Sequence, residues 1–249
     1  MGATVCRAVA GTDDLELVAA VDPQCAGLDI RQVTRAEVPG HVAPDLDSLV
    51  AAGAEVVVDF TVLEASLGNL AWLAEQGIHA VVGTTGFTQG DLDRIGDSFD
   101  RSGCVIAPNF AIGAVLMMRF AELAAPWFET AEIVELHHDR KVDAPSGTAM
   151  LTAERMAAAS DEWADDPTQT EVAPGARGGE GPGGIRVHSL RMRGMVAHQE
   201  VVLGTEGQTL TIRHDSYDRT SFMPGVLAAV RAVPERTGLI VGLDRLLDL

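Results

Sequence analysis

The chain has 249 residues, 47% hydrophobic and 22% charged, which is enough for one large α/β domain or two smaller ones around a buried core. A formal net charge of −18 argues against nucleic acid or an anionic membrane as partner, because polyanion binding needs clustered Lys and Arg. Three cysteines (Cys6, Cys25 and Cys104) fit neither C-x-x-C nor zinc-ligand spacing, and no membrane-length apolar run or signal-peptide pattern is present, so reduced thiols and a cytoplasmic location are expected.

In chain order, the pattern predicts a helix over Ala3 to Ala10 and then a buried parallel strand, LELVAAVD, from Leu15 to Asp22. AEVVVDFT (Ala54 to Thr61) reads as a second strand, EASLGNLAWLAEQG as an amphipathic helix closed by Gly77, and HAVVGTTG as a strand running into a Gly-Thr loop. DLDRIGDSF supplies a further helix and GCVIAPNF a further strand. Strands alternating with helices imply right-handed βαβ units around a parallel sheet. The pattern then changes: AIGAVLMMRFAELAAPWF is a long helix, AEIVELHHD a strand, and SGTAMLTAERMAAAS a helix capped by Ser146. Residues 165–184, rich in Pro, Gly, Asp and Thr, form the only long irregular segment. IRVHSLRM, AHQEVVLG and QTLTIRHDS alternate as antiparallel strands, the last two joined by a turn at Thr205 to Gly207. SFMPGVLAAVRAV is a closing helix and GLDRLLDL a short apolar tail. The fold class expected is α/β, with a dinucleotide-type domain over 1–109 and 218–249 and an inserted α+β domain over 110–217.

The chemistry concentrates in ELHHDRKVDAPSGTA, Glu135 to Ala149. Lys141 is the only lysine, against seventeen arginines. On a strand–turn–helix reading, Ser146 stands at the N-cap and the amides of Gly147 and Thr148 open the helix. Such a terminus binds a carboxylate or phosphate. His137, His138, Arg140 and Lys141 form the local positive site that an anionic ligand requires in so acidic a chain. Imidazole and a lysine amine both exchange protons, whereas Arg does not. A single lysine is equally an accident of a composition that favours Arg. No metal site is expected, since adjacent histidines on a strand point to opposite faces. Ser146 reads as a helix cap rather than a nucleophile, because no G-x-S-x-G elbow surrounds it.

ELHHDRKVDAPSGTA resembles the signature of 4-hydroxy-tetrahydrodipicolinate (dihydrodipicolinate) reductases of the bacterial diaminopimelate and lysine pathway. VVGTTGF, APNFAIGAV, GMVAHQEVVLGTEG and IRHDSYDRTSFMPGVLAAVR resemble that family in the same order, with wording most like actinobacterial members. The resemblance implies a Rossmann-like dinucleotide-binding domain with an inserted substrate-binding and oligomerisation domain, and reduction of a cyclic dicarboxylate by NADH or NADPH. It implies catalytic roles for His137 and Lys141, and substrate contacts from His138, Gly147 and Thr148, with Ser146 in the same anion site. For the cofactor it points to Gly83, Thr84, Thr85, Ala107, Pro108, Asn109 and Phe110, with Phe60 and Thr61 as neighbours. Phe60 is equally a core residue. Asp22, at the end of the predicted strand, is placed to hold ribose hydroxyls, which favours NADH in a family that accepts both cofactors. A homotetramer formed through the strands between Ile185 and Ser216 is implied as well. The family opens with a strand and a G-x-x-G-x-x-G loop, and Met1-Gly2 match only the end of that loop; an upstream start is expected. Were Met1 the true start, a non-catalytic dicarboxylate-binding or subunit-interaction protein is the alternative reading.

Overall fold

A computed structural model describes residues 1–248. In chain order its elements are α1 (Gly2–Ala10), α2 (Ile30–Thr34), α3 (Asp47–Ala51), β1 (Val56–Asp59), α4 (Leu63–Gln76), β2 (His79–Val82), α5 (Gln89–Ser98), β3 (Gly103–Ile106), α6 (Ile112–Ala124), β4 (Thr130–His137), α7 (Gly147–Ala159), β5 (Gly179–Glu180), β6 (Arg186–Arg191), β7 (Ala197–Thr205), β8 (Gln208–Ser216), α8 (Met223–Ala232), β9 (Gly238–Val241) and α9 (Leu243–Leu246). The chain divides into two compact units, Met1–Ile112 with Arg219–Leu249, and Gly113–Asp218.

In the first unit, β1, β2, β3 and β9 form an all-parallel sheet in that order. Its central strands are apolar on both faces, because helices cover both. Leu70 and Leu73 of α4 and Ile95 of α5 pack with Ala80, Val82, Cys104 and Ile106 in one core, while α8 lies against β1 and β2. Local chemistry sets the helix ends. Gly77 takes a left-handed conformation at φ 69° and closes α4. Thr88 and Asp91 form a reciprocal capping box that opens α5. All three cysteines are free, and burial together with the nearby Asp59 carboxylate pushes the Cys104 thiol up.

The segment predicted as a strand from Leu15 to Asp22 is not one. Its only ladder contact is an isolated bridge between Val21 and Ala43, and Val18 is exposed. Among the described residues no neighbouring strand pairs with residues 15–20, and an apolar run without a ladder partner stays irregular. Conversely, β9 pairs in parallel with β3, although GLIV is too short a run for periodicity to identify.

The second unit is a five-stranded sheet in the order β5-β6-β4-β7-β8. β7 and β8 are antiparallel, and Thr205 pairs with Gln208 across Glu206 and Gly207, where Gly207 supplies a φ of 77°. IRVHSLRM departs from expectation, for β6 runs parallel to β4. The cause is the connection: α7 lies between the two strands, so β4-α7-β6 is a crossover unit rather than a hairpin. One face of the sheet is packed by helices. Ala149 and Ala153 of α7, one turn apart, bring that helix close to Ile133 and Val201, with Met156 filling the same core. Ile133→Ala is expected to destabilise this unit by about 2–5 kcal/mol, because Ile133 is completely buried at the centre of the sheet. Denaturant unfolding followed by circular dichroism checks the value.

Candidate active site

Two groups of predicted residues form local constellations, one in each unit. In the first, parallel strands β1, β2 and β3 all end on the same sheet edge, so the loops that follow them emerge side by side. These loops carry Phe60 and Thr61, Gly83 to Thr85, and Ala107 to Phe110. The carboxyl edge of an open parallel sheet is where such folds bind nucleotides. Asp59, the last residue of β1, is only 4% exposed. Its carboxylate accepts hydrogen bonds from the Thr61 amide at 2.8 Å, the Thr61 hydroxyl at 2.6 Å and Asn69 of α4 at 2.9 Å. Thr84 donates its hydroxyl to the Thr61 carbonyl at 3.1 Å. One buried acid therefore ties two of the three loops together.

Phe60 lies between Gly83 and Phe110. A Cβ on Gly83 would stand 2.0 Å from the Phe60 ring, and the Phe60 and Phe110 ring centroids are 5.7 Å apart. Gly83 is thus required by packing as well as by any ligand. Ala107 and Phe110 are buried while Thr85 and Pro108 are exposed, and Asn109 accepts a hydrogen bond from the Ala111 amide at 2.9 Å. Asp22 is the member whose expected setting fails: it follows an isolated bridge instead of ending a strand. It is exposed, and its carboxylate accepts from the Gln24 amide at 2.8 Å. These loops fit a dinucleotide, with exposed Thr61, Thr85 and Pro108 beside a glycine and with backbone held from below.

In the second unit β4 delivers Glu135 and His137 to the same face, because side chains two apart on a strand point the same way. That face is the one α7 covers. Ser146 caps α7, its hydroxyl accepting from the Ala149 amide at 3.2 Å. Thr148 follows in the first turn, and Gly147 opens the helix. A Cβ on Gly147 would meet nothing within 4 Å, so no packing within the chain explains a glycine there. His138 stands just beyond β4, its Nδ1 accepting from the Arg140 amide at 3.2 Å. The Ala144–Pro145 peptide is cis. Lys141 Nζ donates to both carboxylate oxygens of Asp143, at 2.8 and 2.7 Å. That bond holds the Asp143 carboxyl below its ordinary range.

Two further residues join this constellation without a role in the sequence reading, Glu135 and Arg191. Glu135 is completely buried. It accepts a two-pronged bond from Arg191, at 2.8 and 2.9 Å, and one from the Ser146 amide at 3.2 Å, and it shares a hydrogen bond with His137 Nδ1 at 2.5 Å. Burial alone would raise its pKa; the bonds from Arg191, Ser189 and His137 outweigh that and hold it low. Arg191 also donates to the Asp143 carbonyl at 2.7 Å. His137 is drawn below its ordinary pKa by burial, with Glu135 opposing and the Lys141 and Arg191 charges assisting. Glu135 was findable, lying two residues before His137 on a strand. Arg191, 56 residues from Glu135, carried no local signal. No group of three or more His, Cys, Asp or Glu side chains suited to a metal ion occurs among the described residues.

Comparison with known proteins agrees across the chain. The family models described as dihydrodipicolinate reductase, N-terminus and C-terminus, match residues 1–110 and 113–247. The chain is 52% identical over 256 residues to a 4-hydroxy-tetrahydrodipicolinate reductase of Nocardia farcinica, covering 100% of this chain and 95% of that protein. It is 50% identical over 256 residues to the same enzyme of Cutibacterium acnes, with the same coverage. Among solved structures, a dipicolinate-bound dihydrodipicolinate reductase from Paenisporosarcina sp. TG-14 superposes with a TM-score of 0.84 at 39% identity, over 97% of this chain and 93% of that one.

Proposed function

The chain belongs to the dihydrodipicolinate reductase family, and from that premise we propose the roles of its site residues. The protein is an NAD(P)H-dependent oxidoreductase of diaminopimelate and lysine biosynthesis, reducing 4-hydroxy-tetrahydrodipicolinate to tetrahydrodipicolinate with loss of water. The dinucleotide, when bound, supplies the hydride. Phe60, Thr61, Gly83, Thr84, Thr85, Ala107, Pro108, Asn109 and Phe110 hold it at the carboxyl edge of the parallel sheet. Asp22 holds ribose hydroxyls, an arrangement that favours NADH.

His137 and Lys141 donate protons to the electron-rich substrate that hydride addition leaves, while the cationic side chains offset its carboxylates. His138 contacts the substrate. Ser146, Gly147 and Thr148 seat one carboxylate at the start of α7, where the helix dipole and first-turn amides favour a negative charge. The dipicolinate held by the Paenisporosarcina relative is a dicarboxylate of the same kind. The observation that carries this reading is the convergence, within one unit, of a half-buried histidine held by Glu135, a lysine held by Asp143 and a serine-capped helix start whose glycine has open space around it. A homotetramer through the strands between Ile185 and Ser216 and a cytoplasmic location complete the proposal. No helix among the described residues is long and apolar enough to cross a membrane.

Oxidation of NADH and of NADPH should follow addition of freshly generated 4-hydroxy-tetrahydrodipicolinate, read at the nicotinamide absorbance. Full turnover in Lys141→Ala would overturn the proton-donor assignment, and no turnover by the wild-type chain with either cofactor would overturn the whole reading.

A further inference from the structure

We infer that Glu135 and Arg191 are positioning residues for the reduction, a buried carboxylate and the half-buried guanidinium that forks it, which orient both proton-bearing side chains, His137 and Lys141, from beneath the start of α7. The inference rests on the assignment of those two residues as proton donors. A single bonded chain links them. His137 Nδ1 meets Glu135, Glu135 is forked by Arg191, Arg191 grips the Asp143 carbonyl, and the Asp143 carboxylate holds Lys141 Nζ. The five side chains come from β4, β6 and the loop before α7: His137 meets Glu135 along β4, Lys141 meets Asp143 within the loop, and Arg191 of β6 joins the two pieces.

The chemistry follows from what each group can offer. An ionised carboxylate only accepts, so a neutral His137 must carry its hydrogen on Nδ1, which leaves Nε2 to face the substrate. In the charged ring the Nε2–H bond breaks, its electrons stay on the ring, and the proton bonds to the centre made electron-rich by hydride addition. The ring is left neutral with Nδ1–H still on Glu135. Arg191 cancels the Glu135 charge, and a neutral pair orients the ring without locking a proton onto it. The charged groups acting on His137 are Glu135 from β4, Lys141 from the loop and Arg191 from β6, which is also its ladder partner, while Ser189 and the Ser146 amide of the α7 cap bond to Glu135. The β7 neighbour is the uncharged Ala197. Burying an unpaired carboxylate is costly; here its bonds run to Arg191, His137, Ser189 and the Ser146 amide, so the charge is paired.

Glu135→Gln conserves shape but replaces an acceptor by an amide that donates. The neutral His137 ring should then switch its hydrogen from Nδ1 to Nε2. Nitrogen NMR of histidine-labelled protein reads this, with the His137 signals identified by their loss in His137→Gln. We expect kcat to fall about 10- to 100-fold while dipicolinate affinity stays within about threefold. Activity that needs the charged ring is lost as pH rises through the His137 pKa. Glu135 opposes the lowering of that pKa, so its removal should move the alkaline limb of the kcat profile to lower pH. Arg191→Lys, which keeps the charge but loses the fork, should show an intermediate loss.

A Glu135→Gln enzyme with unchanged kcat, pH profile and tautomer would overturn the inference, as would lost activity with the tautomer unmoved. Should that variant fail to fold, the wild-type spectrum decides alone: hydrogen on Nδ1 supports the inference and hydrogen on Nε2 overturns it. Full turnover in His137→Gln would instead refute the proton-donor assignment, and the wild-type tautomer would still report whether Glu135 sets the ring.

Discussion

Lys141→Arg should lower kcat by about 100- to 1,000-fold while leaving dipicolinate affinity within about threefold. The substitution separates two jobs that one lysine can do. As a cation, Arg is an adequate replacement, and its planar fork suits the Asp143 carboxylate that holds Lys141 through both oxygens. The loop should therefore keep its shape, and thermal unfolding should not change. As a proton donor, Arg fails, because its pKa lies too far above neutrality for the proton to leave. Stopped-flow and steady-state turnover with freshly generated substrate distinguish the two. A fall in kcat at constant KM assigns proton transfer to this position. A variant that keeps more than about a third of wild-type kcat shows that only the charge matters, and the lone lysine then reverts to an accident of composition. The double variant Lys141→Arg with His137→Gln should be little worse than the weaker single variant, since residues that act as a unit are not additive.

The site was legible in unequal parts. The strand–turn–helix around Ser146 could be read because its signals are local: a β-run ending at a histidine, a proline in the turn, a serine at the cap and a glycine after it. The helix closed by Gly77 and the Gly-Thr loop after β2 were readable for the same reason, whereas Phe60–Thr61 and Ala107–Phe110, expected as strand, lie in the loops after β1 and β3 because those strands end at Asp59 and Ile106. Arg191 was not, because nothing near it in sequence distinguishes an arginine that forks a buried carboxylate 56 residues away from one that meets solvent. Strand direction failed for β6 because alternation of apolar residues specifies a face and not a partner. The run from Leu15 to Asp22 failed differently. Its apolar residues have the composition of a parallel strand, but a strand exists only with a ladder neighbour, and among the described residues Val21 to Ala43 is the only bridge it makes. Asp22 lost its expected setting at a strand end with that run, and its contact with the ribose rests on the proposal alone.

Asp59→Ala should act on the other half of the reaction, costing about 2–3 kcal/mol of stability and lowering kcat/KM for the dinucleotide by about 100-fold. Asp59 is buried at the end of β1, and the donors around it are the Thr61 amide, the Thr61 hydroxyl, Asn69 and, at 3.5 Å, the Thr84 hydroxyl. No arginine or lysine bonds to it among the described hydrogen bonds, so a carboxylate is kept there for its capacity to accept several bonds at once. Alanine leaves those donors without an acceptor and cuts the loop of Thr61 loose from the loop of Thr84, which reaches it through the Thr61 carbonyl. A displacement of about 1 Å in a positioning loop is enough for losses of this size. Asp59→Asn keeps one accepting oxygen for Thr61 but presents an amide to Asn69, so it should fall between alanine and the wild type. Fluorescence titration with NADH and calorimetric titration with dipicolinate form the decisive pair. The proposed dicarboxylate residues all lie within Gly113–Asp218, so dipicolinate affinity should hold while NADH affinity falls. Equal loss of both would mean that Asp59 supports the fold at large, and unchanged NADH affinity would remove these two loops from the cofactor site.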